Sequence, residues 1–258
     1  MITKLAYEAL IKEVELTPKP GLVDKNNSGS HKDMDLQTFY KSAKSIAPFI
    51  QKFYECKSDF EALRKVGLEC ERSMFEATKG VNTHKGMIFS LAVICGAIGS
   101  VGSEDLKLLQ EEIKKICQDL IVKDLSNLKT PHTNGEKFFQ KTKSAGIRAE
   151  AQAGYPTVFE KALPFYENEL SLTNEEIALK RTLVFLMSFV PDTTLYARGG
   201  LEALEFVQNE AKKLLHVRNL DEHLKVFDKK MIEKNLSSGG CADLLGLTYF
   251  ISNLTKKR

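Results

Sequence analysis

Apolar residues recur at i, i+3, i+4 and i+7 through most of this chain, the signature of helices that bury one face. The pattern predicts helices over Ile2–Leu16, Leu36–Phe53, Phe60–Thr78, Lys85–Val101, Glu104–Leu120, Asn174–Val190, Leu201–His216, Leu220–Asn235 and Ala242–Leu254. Start signals support two of them: Ser103 precedes Glu104-Asp105 and Thr173 precedes Asn174-Glu-Glu176, placing acids in first turns where the helix dipole favours them. Met87–Val101 is apolar all round, interrupted by Ser90, Gly96, Gly99 and Ser100. It is too short to span a bilayer and reads as a helix buried in the core. No alternating Val/Ile/Thr-rich run argues for a strand. The reading is an all-α, single-domain bundle over residues 1–258, with about nine to twelve helices. Lys123–Lys143 is polar, contains Pro131 and Gly135, and reads as the main loop.

Between these stretches the glycines gather in short islands beside charged residues. They are Thr17-Pro-Lys-Pro-Gly-Leu-Val-Asp24, Gly29-Ser-His-Lys-Asp-Met-Asp35, Gly80-Val-Asn-Thr-His-Lys-Gly86, Gly146-Ile-Arg-Ala-Glu150, Asp192–Gly200 and Ser237-Ser-Gly-Gly-Cys-Ala-Asp243. Glycine lets backbone approach a ligand closely, and a helix starting just after it aims free N–H groups at an anion. Six charged corners of this kind read as one polyanion site built from distant parts of the chain.

Composition narrows the ligand. The 258 residues carry 37 Lys+Arg against 34 Asp+Glu, a net charge of +3. The only basic run is Lys256-Lys-Arg258, which excludes a nucleic-acid coat and suits a small phosphorylated ligand better. Met1–Leu16 is an amphipathic helix pattern rather than a secretory signal, and no membrane association is expected. The five cysteines are scattered without a C-x-x-C pair, as expected of a reducing, cytoplasmic setting. Cys241, in a glycine corner, is either a reactive thiol or inert packing.

Each corner carries two readings. Lys19 between two prolines is a stiff ligand-presenting loop or a rigid turn, with Glu15 able to face the same cleft. Asp33 and Asp35 can share Mg²⁺ or merely start a helix, and His31 can donate to phosphate or form a turn. His84 and Lys85 oppose the dipole of the helix they begin, a local conflict that a bound phosphate would resolve. Arg148 can grip phosphate oxygens in bidentate fashion or pair with Glu150, and Tyr155 can stack on a purine or pack at a helix end. Asp192 caps a helix or binds a metal, Arg198 stands before two glycines that invite an anion, and Asp243 on a largely apolar helix needs a partner.

Taken together, these islands resemble the triphosphoribosyl-dephospho-CoA synthase family, in the family's order from Glu15 to about Thr248. Ala149, Tyr155, Thr194, Ser238 and Cys241 depart from the family's usual residues, none of them removing a charge. The resemblance implies transfer of the 5-triphosphoribosyl group of ATP to the 2′-hydroxyl of 3′-dephospho-CoA, with release of adenine. It also implies Mg²⁺, a separate transferase and acyl carrier protein that receive the product for citrate lyase, and a related malonate decarboxylase branch; an oligomer is compatible with it. On this chemistry Lys19, His31, His84, Lys85, Arg148, Arg198, Gly199, Gly239 and Gly240 are assigned to substrate binding. Glu150, Asp24 and Asp243 are the candidate catalytic acids, and Asp33, Asp35 and Asp192 the candidate metal ligands. Two other readings stay open: a Mg²⁺-dependent hydrolase of phosphoesters or ADP-ribosyl groups, and a non-catalytic nucleotide or CoA sensor.

Overall fold

The apolar stretch beginning at Lys85 is the axis of the molecule in the computed structural model, which describes residues 1–126 and 130–255. This helix, α4 (Lys85–Val101), follows α1 (Ile2–Glu15), α2 (Leu36–Cys56) and α3 (Phe60–Ala77). After it come α5 (Leu106–Ile116), α6 (Leu120–Leu125), α7 (Asn134–Thr142), α8 (Ile147–Gln152), a π-helical turn (Thr157–Ala162), α9 (Leu163–Leu172) and α10 (Glu175–Met187). The chain closes with α11 (Thr193–Leu214), α12 (Leu220–Glu233) and α13 (Gly239–Thr255). Among the described residues there is no strand, as the periodicity predicts.

Helix α4 packs against α2, α3, α5 and α13 and is buried from Met87 to Ile98 except at Phe89. Its small residues allow that crowding: a Cβ on Gly99 would strike the carbonyl of Tyr54, and one on Gly96 would strike that of Lys57. Helix α13 is the second buried rod, covered by α1, α10 and the π-helical turn. No single helix among the described residues is long and apolar enough to cross a membrane.

Local signals explain most boundaries. Asp35 and Thr38 form a capping box at α2, and Asp59, Asp105 and Asn174 cap α3, α5 and α10. The stretch expected as Glu104–Leu120 breaks after Ile116, with Asp119 left-handed at φ 62° before α6. The expected loop Lys123–Lys143 instead contains α7, started by a Thr133–Glu136 capping box that its polar composition obscures. Residues 127–129 and the basic tail Lys256-Lys-Arg258 lie outside the described residues. Gly199 and Gly200 break α11 into two segments, and the second begins at the predicted Leu201.

Candidate active site

Four helix starts meet around one cleft of about 700 Å³. Its walls include Lys85 and Gly86 of α4, Arg148 and Glu150 of α8, Thr193 and Thr194 of α11, and Gly240 and Asp243 of α13. The corners touch one another directly. A Cβ on Gly146 would lie 2.9 Å from Thr193 Cγ2, and one on Gly240 would lie 3.0 Å from Asp192 Oδ2. The N-terminal ends of α4, α11 and α13 therefore point their positive dipoles into shared space, a setting made for anions.

Asp192 ties two of those starts together. Its Oδ1 accepts from the N–H groups of Thr194 at 2.7 Å and Leu195 at 3.1 Å, while Oδ2 accepts from Cys241 N at 2.9 Å. The residue is 1% exposed, and burial pushes its pKa above the ordinary value against these three donors.

Asp243 stands differently. Its Oδ2 lies so near Gly86 that any side chain there would collide with it. Burial, then the charges of Glu13 and Asp192, drive its pKa well above the carboxylate range. No hydrogen bond engages its carboxyl among the described residues, and it lines the cleft with its proton affinity raised.

Glu150 is fixed from outside the cleft: Thr157 Oγ1 donates to Oε1 at 2.7 Å and Thr157 N donates to Oε2 at 3.2 Å. The cations are pre-oriented by acids. Lys85 Nζ lies 2.9 Å from Glu71, and Arg148 Nε lies 2.9 Å from Asp124, which also receives Arg64 at 2.7 Å. Though burial works against it, Arg64 and Arg148 hold Asp124 below its ordinary pKa. Glu136 adds a longer pairing to Arg148 at 3.8 Å.

A match to the profile of the ATP:dephospho-CoA triphosphoribosyl transferase (CitG) family runs over residues 1–258. The chain belongs to that family. It is 40% identical, over 99% of its length and 91% of the relative's, to the 2-(5''-triphosphoribosyl)-3'-dephosphocoenzyme-A synthase of Escherichia fergusonii. A protein of Vibrio cholerae serotype O1, described as a probable enzyme of the same name, is 41% identical over 99% of this chain and 88% of its own. In fold, the chain resembles a crystal structure from Archaeoglobus fulgidus, provisionally named a triphosphoribosyl-dephospho-CoA synthase. That match has a TM-score of 0.58 at 18% identity, covering 87% of this chain and 100% of the other.

Of the residues singled out in this CitG-family chain, the structure brings Lys85, Arg148, Glu150, Asp192, Gly240 and Asp243 to the cleft. Gly239 starts α13 beside Thr194, with room for a Cβ only 3.3 Å from its hydroxyl. The others brace the loops behind. Lys19 is 1% exposed and its Nζ is held by buried Glu13, so it is no free phosphate ligand. Asp24 closes its own turn by accepting from the N–H groups of Lys19, Asn26 and Asn27. His84 bonds Ser42 at 2.7 Å, and burial with the nearby Lys19 charge lowers its pKa to about 3.

His31 lies 2.9 Å from Ser237 and 3.2 Å from Arg198, while Arg198 donates to the carbonyls of Ser30 and Asn235. Arg198 is thus a loop staple, and Gly199 packs on Ala203 and Leu236 at the helix kink. Tyr155 is fully buried rather than stacked on a ligand. Cys241 is buried too, with its thiol pushed well up by burial and by Asp192, which favours the packing role over the reactive one.

The metal expectation also changes. Asp35 is spent on capping α2, Asp33 faces solvent 3.8 Å from His31, and Asp192 is engaged by three N–H groups. Those three do not form a common magnesium site, and among the described residues no three His, Cys, Asp or Glu side chains converge as a metal cage. Two sets of residues escaped the sequence reading. Glu13 had a signal, an acid on the buried stripe Ile2, Leu5, Ala6, Ala9, Leu10 and Val14. Arg64, Glu71, Asp124 and Glu136 had none, since their partners come from other helices.

Proposed function

We propose that this cleft transfers the 5-triphosphoribosyl group of ATP to the 2′-hydroxyl of 3′-dephospho-CoA and releases adenine. The observation that carries the reading is the presence in one cleft of an unengaged Asp243, its pKa raised by burial, and a rigidly held Glu150 beside convergent helix starts. Breaking the ribose–adenine bond builds positive charge on C1″ and negative charge on the departing base. Asp243 gives its proton to adenine as that bond breaks. Glu150 faces the developing cation and takes the proton of the attacking 2′-hydroxyl as the C1″–O2′ bond forms. The triphosphate crosses intact, oriented by Arg148, Lys85 and the dipoles of α4, α11 and α13.

Acids outnumber Lys and Arg along the cleft, so the triphosphate needs further positive charge. Magnesium carried by ATP would supply that charge, since it prefers phosphate oxygens and water to an all-protein cage. The product carries a free triphosphate, and its use requires a separate transferase acting on an acyl carrier protein. Five unpaired cysteines fit a reducing compartment, the cytoplasm. Incubation with ATP, Mg²⁺ and dephospho-CoA is expected to yield adenine in step with the coupled nucleotide. Release of ADP or phosphate, or equal adenine release without dephospho-CoA, would overturn the proposal in favour of a hydrolase.

A further inference from the structure

The wall of the cleft formed by α3 and α4 is built unlike the helix starts. Helix α3 turns Phe60, Arg64, Gly67, Leu68, Glu71 and Phe75 toward it, spaced i, i+4, i+7, i+8, i+11 and i+15 along one stripe. Across from them α4 contributes Ile88, Phe89, Ala92 and Val93. Leu68 is 55% exposed there. The nearest charges are already paired, Arg64 with Asp124 and Glu71 with Lys85.

Gly67 stands at the middle of this stripe without a structural reason to be glycine. It lies inside a regular helix, its φ is not left-handed, and a Cβ placed on it would meet nothing within 4 Å. Glycine weakens a helix interior, so its presence costs stability and gains only open space. Resting on the transfer reaction proposed above, we propose that Gly67 keeps this apolar trough clear for the pantetheine arm of dephospho-CoA.

The choice of occupant follows from the two substrates. Both carry an adenosine and a chain of phosphates, which the helix starts, Lys85 and Arg148 can accept. Only dephospho-CoA adds a long uncharged arm, and only that portion is complementary to a trough of Phe, Leu, Val and Ala side chains. A phosphate in the same trough would be stripped of water without an unpaired cation to meet it.

The test uses full-length protein with Gly67→Ala, Gly67→Leu and Gly67→Phe, measuring adenine release while each substrate is varied. Helix propensity predicts that the alanine and leucine variants melt no lower than the parent. Gly67→Leu and Gly67→Phe should raise KM for dephospho-CoA by about tenfold or more, leaving KM for ATP unchanged, as expected for lost binding of one substrate. A selective rise in KM for ATP would assign the trough to the departing adenine and overturn the proposal, as would unchanged constants for both substrates. If the parent protein releases no adenine, the transfer reading fails by itself. Calorimetric titration with dephospho-CoA then still decides Gly67: weaker binding to Gly67→Leu supports the subsite, and equal binding refutes it.

Discussion

Replacing Asp243 by asparagine isolates a cleft carboxyl that neither a hydrogen bond nor an ion pair engages among the described residues. The amide keeps the volume beside Gly86 but neither carries charge nor titrates. Burial, Glu13 and Asp192 all raise the folded-state pKa of Asp243, so the folded protein binds this proton more tightly than the unfolded chain does. As pH rises from the ordinary value of 3.8 through the raised one, stability is progressively lost. Each tenfold increase in proton affinity makes that loss about 1.4 kcal/mol. Asp243→Asn escapes the loss, so its thermal midpoint should match the parent's below pH 3.8 and exceed it increasingly as pH rises.

Activity should move the other way. Removing a general acid typically costs about 10²–10⁴ in rate, and the parent's fall in kcat with rising pH, set by loss of the Asp243 proton, should vanish from the variant's residual profile. The assays are chromatographic adenine release and thermal melts, both followed against pH. A variant that is better folded yet nearly inactive cannot be explained by misfolding. Near-parental turnover, or a melting profile that still tracks the parent's as pH rises, would refute the assignment.

Gly86→Ala should fail for a local reason: alanine favours helices, but its methyl would collide with the Asp243 carboxylate. The clash should cost about 1–3 kcal/mol by urea denaturation, with loss of turnover. Lys19→Met should cost about 3–5 kcal/mol because buried Glu13 would lose its partner, and adding Glu13→Gln should recover much of that loss. Burial, then the Arg198 charge, lowers the His31 pKa from 6.5 to about 4, so stability that is complete above pH 6.5 should drain away as pH falls through 4. That drain amounts to about 3 kcal/mol, and melts of His31→Asn should lack this part of the acid loss.

The pattern of apolar positions determined the class of fold and nearly all the long helices, because burial of one helical face imposes its period on the sequence wherever the helix runs. Local chemistry carried some starts as well: Asp35 and Asp192 are read as helix starts from their neighbours and act as caps, whereas the starts read at Ser103 and Thr173 fall one or two residues on, at Asp105 and Asn174. The acid at position 13 went unread, although it stands as a misfit on an apolar stripe. The roles of the charged corners were not. Lys19 and Lys85 look alike in the sequence, yet one is sealed against Glu13 in the interior and the other faces the cleft beside Glu71.

Glycine was equally two-faced. At Gly86 and Gly240 the space without a side chain is taken up by the protein's own carboxylates, Asp243 and Asp192. A charge's function depends on what comes within about 3 Å of it. Here those neighbours arrive from 60 residues away, as Arg64 reaches Asp124, or from 207, as Gly21 reaches Asp228. Such distances are set by how α3, α4, α11 and α13 pack, and that packing exists only once the whole chain has folded.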